Sequence, residues 1–419
     1  MPYKHYGPDM GFLRGTLLEM LAIPCPTGFT DGIVRYVSEH LDAMGVPHEL
    51  TRRGTIRATI RGRQNSPDRA IAAHLDTIGA MVRGIKDNGR LELAPIGHWS
   101  SRFAEGSRVS LFGDHGCLRG SVLPLMASGH AFNEGVDALP VSWDNIELRI
   151  DAATTSRAET EALGIHVGDF VAFDPLPEFS DSGYINARHL DNKAGAAALL
   201  TSIKQIVDSG EELPMDLHPI FTITEETGTG SAGALPWDVS EFVGVDIAPS
   251  APGQTSTEHA VSLCMQDSGG PYDYHLSRHL LSLCQRDEIP VRRDVFRYYH
   301  SDAESAIRSG NDIRTALVAF GTDATHGYER THCDSLEGVA RLLTAYAFSP
   351  PVFEQDKRND APRENFQRQL NPESMSGSET QLPPLDRVFA HESIDGDLPE
   401  LEESRQITHN TRRNDNNNN

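Results

Sequence analysis

The chain has 419 residues and a formal net charge of −23, from 60 acidic and 37 basic side chains. This length allows one to three domains and a large core. Phosphate groups are bound mainly by Lys and Arg, so the acidic balance argues against nucleic acid or anionic lipid as a partner. The five cysteines form no C-x-x-C pair, which argues against a disulfide framework or a thiolate zinc site. No apolar run approaches the ~20 residues of a membrane span, so we expect a soluble, cytoplasmic protein.

The first part of the chain alternates between helical and extended patterns. Apolar spacing predicts helices within residues 12–46, followed by a strand at 70–73. From 79 to 186, short β-like runs are separated by glycines, which is typical of a compact β-rich domain. We therefore expect this domain to be inserted into a discontinuous catalytic domain formed by residues 1–78 and 187–350.

The second part of the chain has the pattern of an α/β domain. A segment rich in Ala and Leu at 194–207 predicts a helix. Apolar strands are predicted at 218–224, 242–245 and 315–320. Continuous apolar strands alternating with helices indicate a mostly parallel sheet covered on both faces. Residues 351–419 are rich in Asn, acidic residues and Pro, and we expect this tail to be disordered.

Histidines and acids recur at predicted strand ends and loop starts, which is where open α/β sheets form their functional sites. Imidazole nitrogen and carboxylate oxygen are ligands that zinc and cobalt accept. Two ions a few Å apart need one bridging carboxylate, and a further carboxylate to take a proton from water. The sequence offers such a set in His74, Asp191, Glu225, Glu226, Asp246 and His332. This is the inventory of a hydrolase with two co-catalytic metal ions.

Each of these residues also has a simpler explanation. Asp191 opens the helix predicted from Ala194, where an acid suits the helix dipole. Asp76 shares a strand face with His74, so it can brace that histidine or simply end the strand. The local sequence does not choose between His332 and its neighbour His326.

Other functions are less well supported by the same residues. Residues 228–233 match G-x-G-x-x-G, but Glu225 and Glu226 would then face the pyrophosphate of a dinucleotide. A glycosidase built on this pair is disfavoured, because adjacent carboxylates on a strand point to opposite faces, whereas glycosidases need two acids about 5–9.5 Å apart across one bond. A non-catalytic scaffold would require a damaged ligand set, and the set here is complete.

Over about residues 12–350 the chain resembles the M42 metallo-aminopeptidases. The resemblance rests on five motifs in order, Ala73-His74-Leu75-Asp76, Asp191-Asn192-Lys193-Ala194-Gly195, Glu225-Glu226-Thr227-Gly228, Val245-Asp246 and Arg330-Thr331-His332. It implies one metal ion held by His74, Asp191 and Asp246. It implies a second ion that Asp191 bridges and that Glu226 and His332 complete, with His332 chosen over His326. Glu225 would be the general acid and base, and Asp76 the brace.

The resemblance also implies two zinc or cobalt ions per chain and removal of N-terminal residues from peptides. The family covers its site with the inserted β domain and assembles into homo-oligomers, commonly dodecameric cages. The sequence also resembles a subgroup found with genes for osmoprotectant dipeptide synthesis, which would make the substrate a small modified dipeptide. An alternative is a metal-dependent deacylase or amidase acting on an N-acylated or capped dipeptide. Asp302 is suggested as a contact for the substrate amine.

Overall fold

The structure of the chain, a computed structural model, describes residues 7–236 and 238–353. The tail predicted to be disordered lies outside the described residues from position 354 onward.

Within these residues the α-helices are α1 (Met10–Leu21), α2 (Asp31–Ala43), α3 (Gly129–Phe132), α4 (Gly135–Ala138), α5 (Arg157–Ala162), α6 (Leu190–Ser209), α7 (Tyr274–Arg286), α8 (Asp302–Arg308) and α9 (Cys333–Ala347). Short 3₁₀ helices span Ser101–Phe103, Trp143–Asn145 and Glu225–Thr227.

The strands of the described chain are β1 (His48–Leu50), β2 (Ile56–Ala58), β3 (Gly62–His74), β4 (Gly79–Ile85), β5 (Leu91–Ile96), β6 (Arg108–Gly113), β7 (Gly116–Pro124), β8 (Ile146–Ile150), β9 (Phe170–Phe173), β10 (Glu178–Phe179), β11 (Tyr184–Ala187), β12 (Leu213–Thr222), β13 (Val239–Pro249), β14 (Val261–Asp267), β15 (Gly270–Pro271), β16 (Val291–Val295), β17 (Arg314–Thr322) and β18 (Glu329–His332).

A large mixed sheet forms the centre of the α/β part, in the order β1-β2-β12-β3-β13-β17-β14-β15, with β16 beside β14. The four central strands β12, β3, β13 and β17 pair in parallel, and antiparallel pairs occur toward both edges. This confirms the predicted mostly parallel sheet. The carboxyl ends of the four parallel strands therefore meet at one edge of the sheet.

Both faces of this sheet are covered, as the continuous apolar strands predict. Side chains alternate along β3, so that Ile71 and Ala73 pack in one core while Ala70 and Ala72 pack in another. The first core also contains residues of α1, α2, α6, α7 and α9, and the second includes residues of α8. Small side chains of α6, including Ala196 to Ala198, are fully buried in the first core and allow this helix to lie close to the strands.

The β-rich domain is a closed antiparallel barrel with the strand order β4-β5-β8-β7-β6-β9. It has its own core, which includes Val82, Leu93, Val109, Leu148 and Val171. Closing the barrel leaves no unpaired strand edges. The structure therefore confirms a separate small antiparallel domain. A further antiparallel sheet, β10-β11-β18, follows it and brings chain from both sides of α6 together.

Candidate metal centre

The candidate centre lies beyond the carboxyl ends of the parallel strands. His74 is the last residue of β3, and Glu225 and Glu226 form a 3₁₀ turn three residues beyond β12. Asp246 was predicted to end its strand, but β13 continues to Pro249. The pairing of β13 with β3 stops at Val245, so Asp246 is the first residue of β13 beyond its last pair with β3. The end of β3 therefore sets the position of Asp246 in the centre.

His74, Asp191 and Asp246 form the first group of ligand atoms. The Nε2 atom of His74 lies 3.2 Å from Asp191 Oδ1 and 3.8 Å from Asp246 Oδ1. All three side chains are buried, and their ligand atoms lie within 4.8 Å of one another. The structure thus brings together the three residues that the resemblance grouped.

Asp191, Glu226 and His326 form a second group that shares Asp191 with the first. The Nε2 atom of His326 lies 3.4 Å from Asp191 Oδ2 and 3.3 Å from Glu226 Oε2. The two oxygens of Asp191 therefore face different histidines, Oδ1 toward His74 and Oδ2 toward His326. A carboxylate in this position is placed to bridge two ions.

The predicted partner of the second group, His332, lies elsewhere. Its Nε2 atom is 2.8 Å from the carbonyl oxygen of Ser182, and its Nδ1 atom is 3.1 Å from Asp334 Oδ2. The placement of His332 beside Asp191 and Glu226 was therefore wrong. His326 occupies that position instead.

The reason lies in the strands that carry the two histidines. His326 is in the loop that follows β17, a strand of the main sheet, so it stands at the shared carboxyl edge. His332 ends β18, whose partner β11 belongs to the separate antiparallel sheet. The two histidines are only six positions apart, but the chain segments that carry them belong to different sheets, and the motif Arg330-Thr331-His332 indicated the histidine that lies outside this group.

Asp76 braces the centre through both its backbone and its carboxylate. Its carbonyl oxygen accepts a hydrogen bond from His74 Nδ1 at 2.9 Å, which turns Nε2 toward the ligand group. Its carboxylate accepts the backbone N–H groups of Glu225 and Glu226 at 3.1 and 3.3 Å, and the hydroxyl of Thr27 at 2.6 Å. Asp76 therefore holds the histidine and the glutamate turn in one arrangement.

The sequence analysis missed Glu329. Its carboxylate is buried and accepts the backbone N–H of Asp191 at 3.0 Å and that of His326 at 2.8 Å. It thus ties the shared aspartate to the histidine of the second group. The only sequence signal was an acid at the first residue of a short strand, which is too common to single out.

Asp302 does not have a free carboxylate for a substrate amine. One oxygen accepts the hydroxyl of Thr222 at 2.5 Å, and the other accepts the backbone N–H of Ser231 at 2.7 Å. The side chain is buried. Asp302 therefore fixes the end of β12 and the loop that follows it.

Negative charge exceeds positive charge in this centre. Four carboxylates and two imidazoles share it, namely those of Asp191, Glu225, Glu226, Asp246, His74 and His326. The carboxylates of Asp76 and Glu329 are buried beside them. Even with both histidines protonated, the carboxylates outnumber the cations in a poorly solvated space, which is costly. The donor set fits divalent ions, which would supply the missing positive charge.

The pKa values of the two histidines reflect the same excess of negative charge. Burial disfavours the imidazolium form of His74, but Asp191 and Asp246 outweigh burial and raise its pKa well above the usual value. Burial likewise opposes the charge on His326, yet Glu226 and Asp191 raise its pKa to about 12. Each imidazole thus lies at a position where the surrounding carboxylates stabilise a positive charge.

Glu225 differs from the other acids of the centre. Its side chain is 12% exposed, and its Oε2 atom lies 3.8 Å from His74 Nε2. Burial raises its pKa well above the usual value, and the charges of Asp246, Asp302 and Glu226 add to this effect against the opposing influence of His74. A carboxyl group that holds a proton readily and is reached by solvent is suited to proton transfer.

The model of the M42 glutamyl aminopeptidase family matches residues 54–342. A putative aminopeptidase of Bacillus subtilis, YhfE, is 39% identical over 335 residues, which are 80% of this chain and 96% of that protein. The glutamyl aminopeptidase of Lactococcus lactis is 26% identical over 55% of this chain and 64% of its own.

Among solved structures, the TET1 peptidase of Pyrococcus horikoshii matches with a TM-score of 0.72 at 22% identity. The match covers 81% of this chain and all of that one. At this identity the likeness supports the fold. In the part of the chain that the structure describes, no helix is both long and apolar enough to cross a membrane.

Proposed function

Since this chain belongs to the M42 family and is a metallo-aminopeptidase, we propose that it binds two divalent ions through His74, Asp191, Asp246, Glu226 and His326. The first ion would be held by His74, Asp191 and Asp246, and the second by Asp191, Glu226 and His326. The observation that carries this proposal is the shared aspartate, whose two oxygens face the two histidines at 3.2 and 3.4 Å. Zinc or cobalt suits these nitrogen and oxygen donors.

Bound ions of this kind activate water and polarise the carbonyl group of the peptide. Glu225 is assigned the proton transfers. As a carboxylate it accepts the proton of the attacking water, and as a carboxylic acid it donates that proton to the leaving amine. Its raised pKa favours the second step. Solvent exposure of its side chain, against the burial of Asp191 and Asp246, supports Glu225 rather than these acids in this role.

Asp76 and Glu329 are assigned positioning roles. Asp76 sets the orientation of His74 and of the Glu225-Glu226 turn through the hydrogen bonds described above. Glu329 fixes the backbones of Asp191 and His326. Partners of this kind raise metal affinity by holding ligands in place before the ion arrives.

We further propose that the protein is a cytoplasmic homo-oligomer. All five cysteines lie in the described part of the chain and form no disulfide, which suits a reducing compartment. The TET1 relative is described as assembling into a tetrahedron or a large octahedral shell, and a dodecameric cage is therefore the assembly to test. Size-exclusion chromatography with light scattering of the full chain measures it directly, and a monomer would contradict the proposal.

The function is tested by metal analysis together with peptide cleavage. The parent and an Asp191→Asn variant are stripped, reloaded with zinc or cobalt, and assayed for metal content and for cleavage of free and N-acetylated peptides. We expect the variant to lose metal and activity together, because Asp191 serves both groups. Equal metal content in the two proteins would overturn the dinuclear assignment. Cleavage confined to N-acetylated substrates would instead favour the deacylase that the sequence left open.

A further inference from the structure

A second cluster of ligand atoms lies outside the centre described above. It consists of His259, His332 and Asp334, whose ligand atoms lie within 4.8 Å of one another. His259 comes from the loop before β14, His332 ends β18, and Asp334 lies in the first turn of α9. The cluster thus connects three segments of the chain.

The donor atoms have the spacing of metal ligands. Asp334 Oδ2 lies 3.2 Å from His259 Nδ1 and 3.1 Å from His332 Nδ1. Zinc bonds of about 2.0–2.2 Å in a tetrahedron place neighbouring ligand atoms about 3.3–3.6 Å apart. The spacing in the candidate dinuclear centre, where histidine and carboxylate atoms are 3.2 to 3.8 Å apart, is similar.

The hydrogen bonds of His332 leave its Nδ1 atom with a lone pair that can bind a metal ion. Its Nε2 atom lies 2.8 Å from the carbonyl oxygen of Ser182, and because a carbonyl can only accept, Nε2 carries the hydrogen. In the neutral ring Nδ1 is then a lone pair, consistent with the backbone N–H of Asp334 pointing at it from 3.1 Å. This lone pair and Asp334 Oδ2 repel each other unless a cation lies between them.

His259 is held in a similar way. Its Nε2 atom lies 3.2 Å from the hydroxyl of Tyr184, and its Nδ1 atom faces Asp334. The two imidazole rings are 4.3 Å apart. A histidine that binds a metal generally has its other ring nitrogen hydrogen-bonded, and both histidines meet this condition.

The surrounding residues hold the cluster in this arrangement. Arg330 forms a two-pronged ion pair with Glu258, at 2.8 and 2.9 Å, and lies 4.8 Å from the ring centre of Tyr184. Gly183 has a φ of +91°, and a Cβ atom there would lie 2.5 Å from His332 Nε2. A glycine is therefore required for the loop to bring Ser182 to the ring of His332.

We propose that His259, His332 and Asp334 bind a third divalent ion, zinc or a similar transition metal, at the surface of the protein. Two nitrogen donors favour such an ion over magnesium or calcium, which prefer oxygen. The side chains of His259 and Asp334 are 49% and 58% exposed. The fourth coordination position therefore faces solvent and takes a water molecule.

Zinc titration of the full chain in an Asp191→Asn background separates this site from the dinuclear centre. We compare that variant, stripped with a chelator, with the same variant carrying His259→Ala or Asp334→Asn, by calorimetry and elemental analysis. Each added substitution is expected to remove one zinc ion per chain. The matched control is His166→Ala, an exposed histidine 3.6 Å from Asp114 that belongs to none of the groups of three ligand residues found in the described chain, and it should remove none.

Equal zinc content with and without His259→Ala and Asp334→Asn would overturn the proposal and leave the three side chains as a surface cluster without a metal ion. Circular dichroism shows whether each variant is folded, and because the two substitutions lie on different segments, either folded variant decides the question. The outcome is independent of the dinuclear centre. An ion lost on His259→Ala while Asp191→Asn removes none would support this site and contradict the proposed function.

Discussion

The candidate dinuclear centre and the surface cluster contain the same donor types at similar distances, but they differ in burial and charge. The inner centre packs four carboxylates around two imidazoles beyond the ends of parallel strands. The surface cluster has one carboxylate and two imidazoles within reach of solvent, and each imidazole has one ring nitrogen hydrogen-bonded to a group outside the cluster. Water and salt can screen the outer group, whereas only cations can neutralise the inner one. Distance alone therefore does not predict how strongly a cluster requires metal; the surrounding charge and burial do.

The largest expected effect comes from separating proton transfer from metal binding in the inner centre. Glu225→Gln keeps the size of the side chain but cannot accept a proton. We expect kcat for peptide cleavage to fall by about 10²–10⁴-fold, the usual contribution of a general base, with metal content unchanged. Steady-state kinetics and elemental analysis on the same sample measure both. Near-parental rates with bound metal would remove Glu225 from the mechanism.

A matched pair of substitutions tests which of the two histidines, His326 or His332, belongs to the inner centre. His326→Ala removes a ligand of the inner centre and should lower kcat/KM by about 100-fold or more, with loss of one ion per chain. His332→Ala, six positions later, should lower kcat/KM by less than about tenfold. Larger losses, of about 10–100-fold, are expected only for residues that bind the ions or hold their ligands in place. If the two variants exchanged these effects on kcat/KM, the ligand assignment would return to His332.

The contribution of the supporting residues to the inner centre can be measured at Glu329. In Glu329→Gln an amide NH2 group replaces one of the two acceptor oxygens. The side chain can then no longer accept both backbone N–H groups as it does now, so Asp191 and His326 are held less firmly. We expect metal affinity to fall by about 10–100-fold. Competition with a zinc chelator measures the affinity. An unchanged affinity would show that the ligands hold their places without Glu329.

The smallest expected effect is a change in the pH dependence of stability, and it comes from a buried histidine that is not paired with a carboxylate. His189 is buried, and its Nε2 atom lies 3.0 Å from the carbonyl oxygen of Phe173. Burial, with the charge of Lys193, lowers its pKa to about 3. Because the folded pKa is below the unfolded value of about 6.5, its contribution to stability is complete above pH 6.5 and is lost as the pH falls toward 3.

Between pH 7 and pH 5 this histidine should lower the free energy of unfolding by about 2 kcal/mol, from the linkage relation. His189→Gln keeps a hydrogen-bond donor but does not titrate. Urea unfolding at the two pH values should therefore show a loss about 2 kcal/mol smaller in the variant than in the parent. The same pH dependence in both proteins would show that His189 is solvated or already charged in the folded state.

The elements of the fold were largely predictable because they depend on local patterns. Continuous apolar runs predicted β12, β13 and β17, and short runs separated by glycines predicted the β-rich domain that forms the barrel. The end of β13 was misplaced by four residues, because β17 continues to pair with it to Pro249 after β3 has ended. Such a boundary is set by a neighbouring strand and not by the sequence of β13 itself.

The sequence by itself determined which kinds of side chain stand at the strand ends, and so the donor chemistry of the candidate metal centre. The grouping of His74, Asp191 and Asp246 came from the family resemblance. The tertiary structure alone decided that His326, not His332, completes the second group, and that Glu329 holds it. Asp191 meets Glu329 across 138 positions and His326 across 135, separations at which no local pattern carries information. Which histidine reaches a carboxylate depends on which sheet its strand joins, and that is settled only when the whole chain packs.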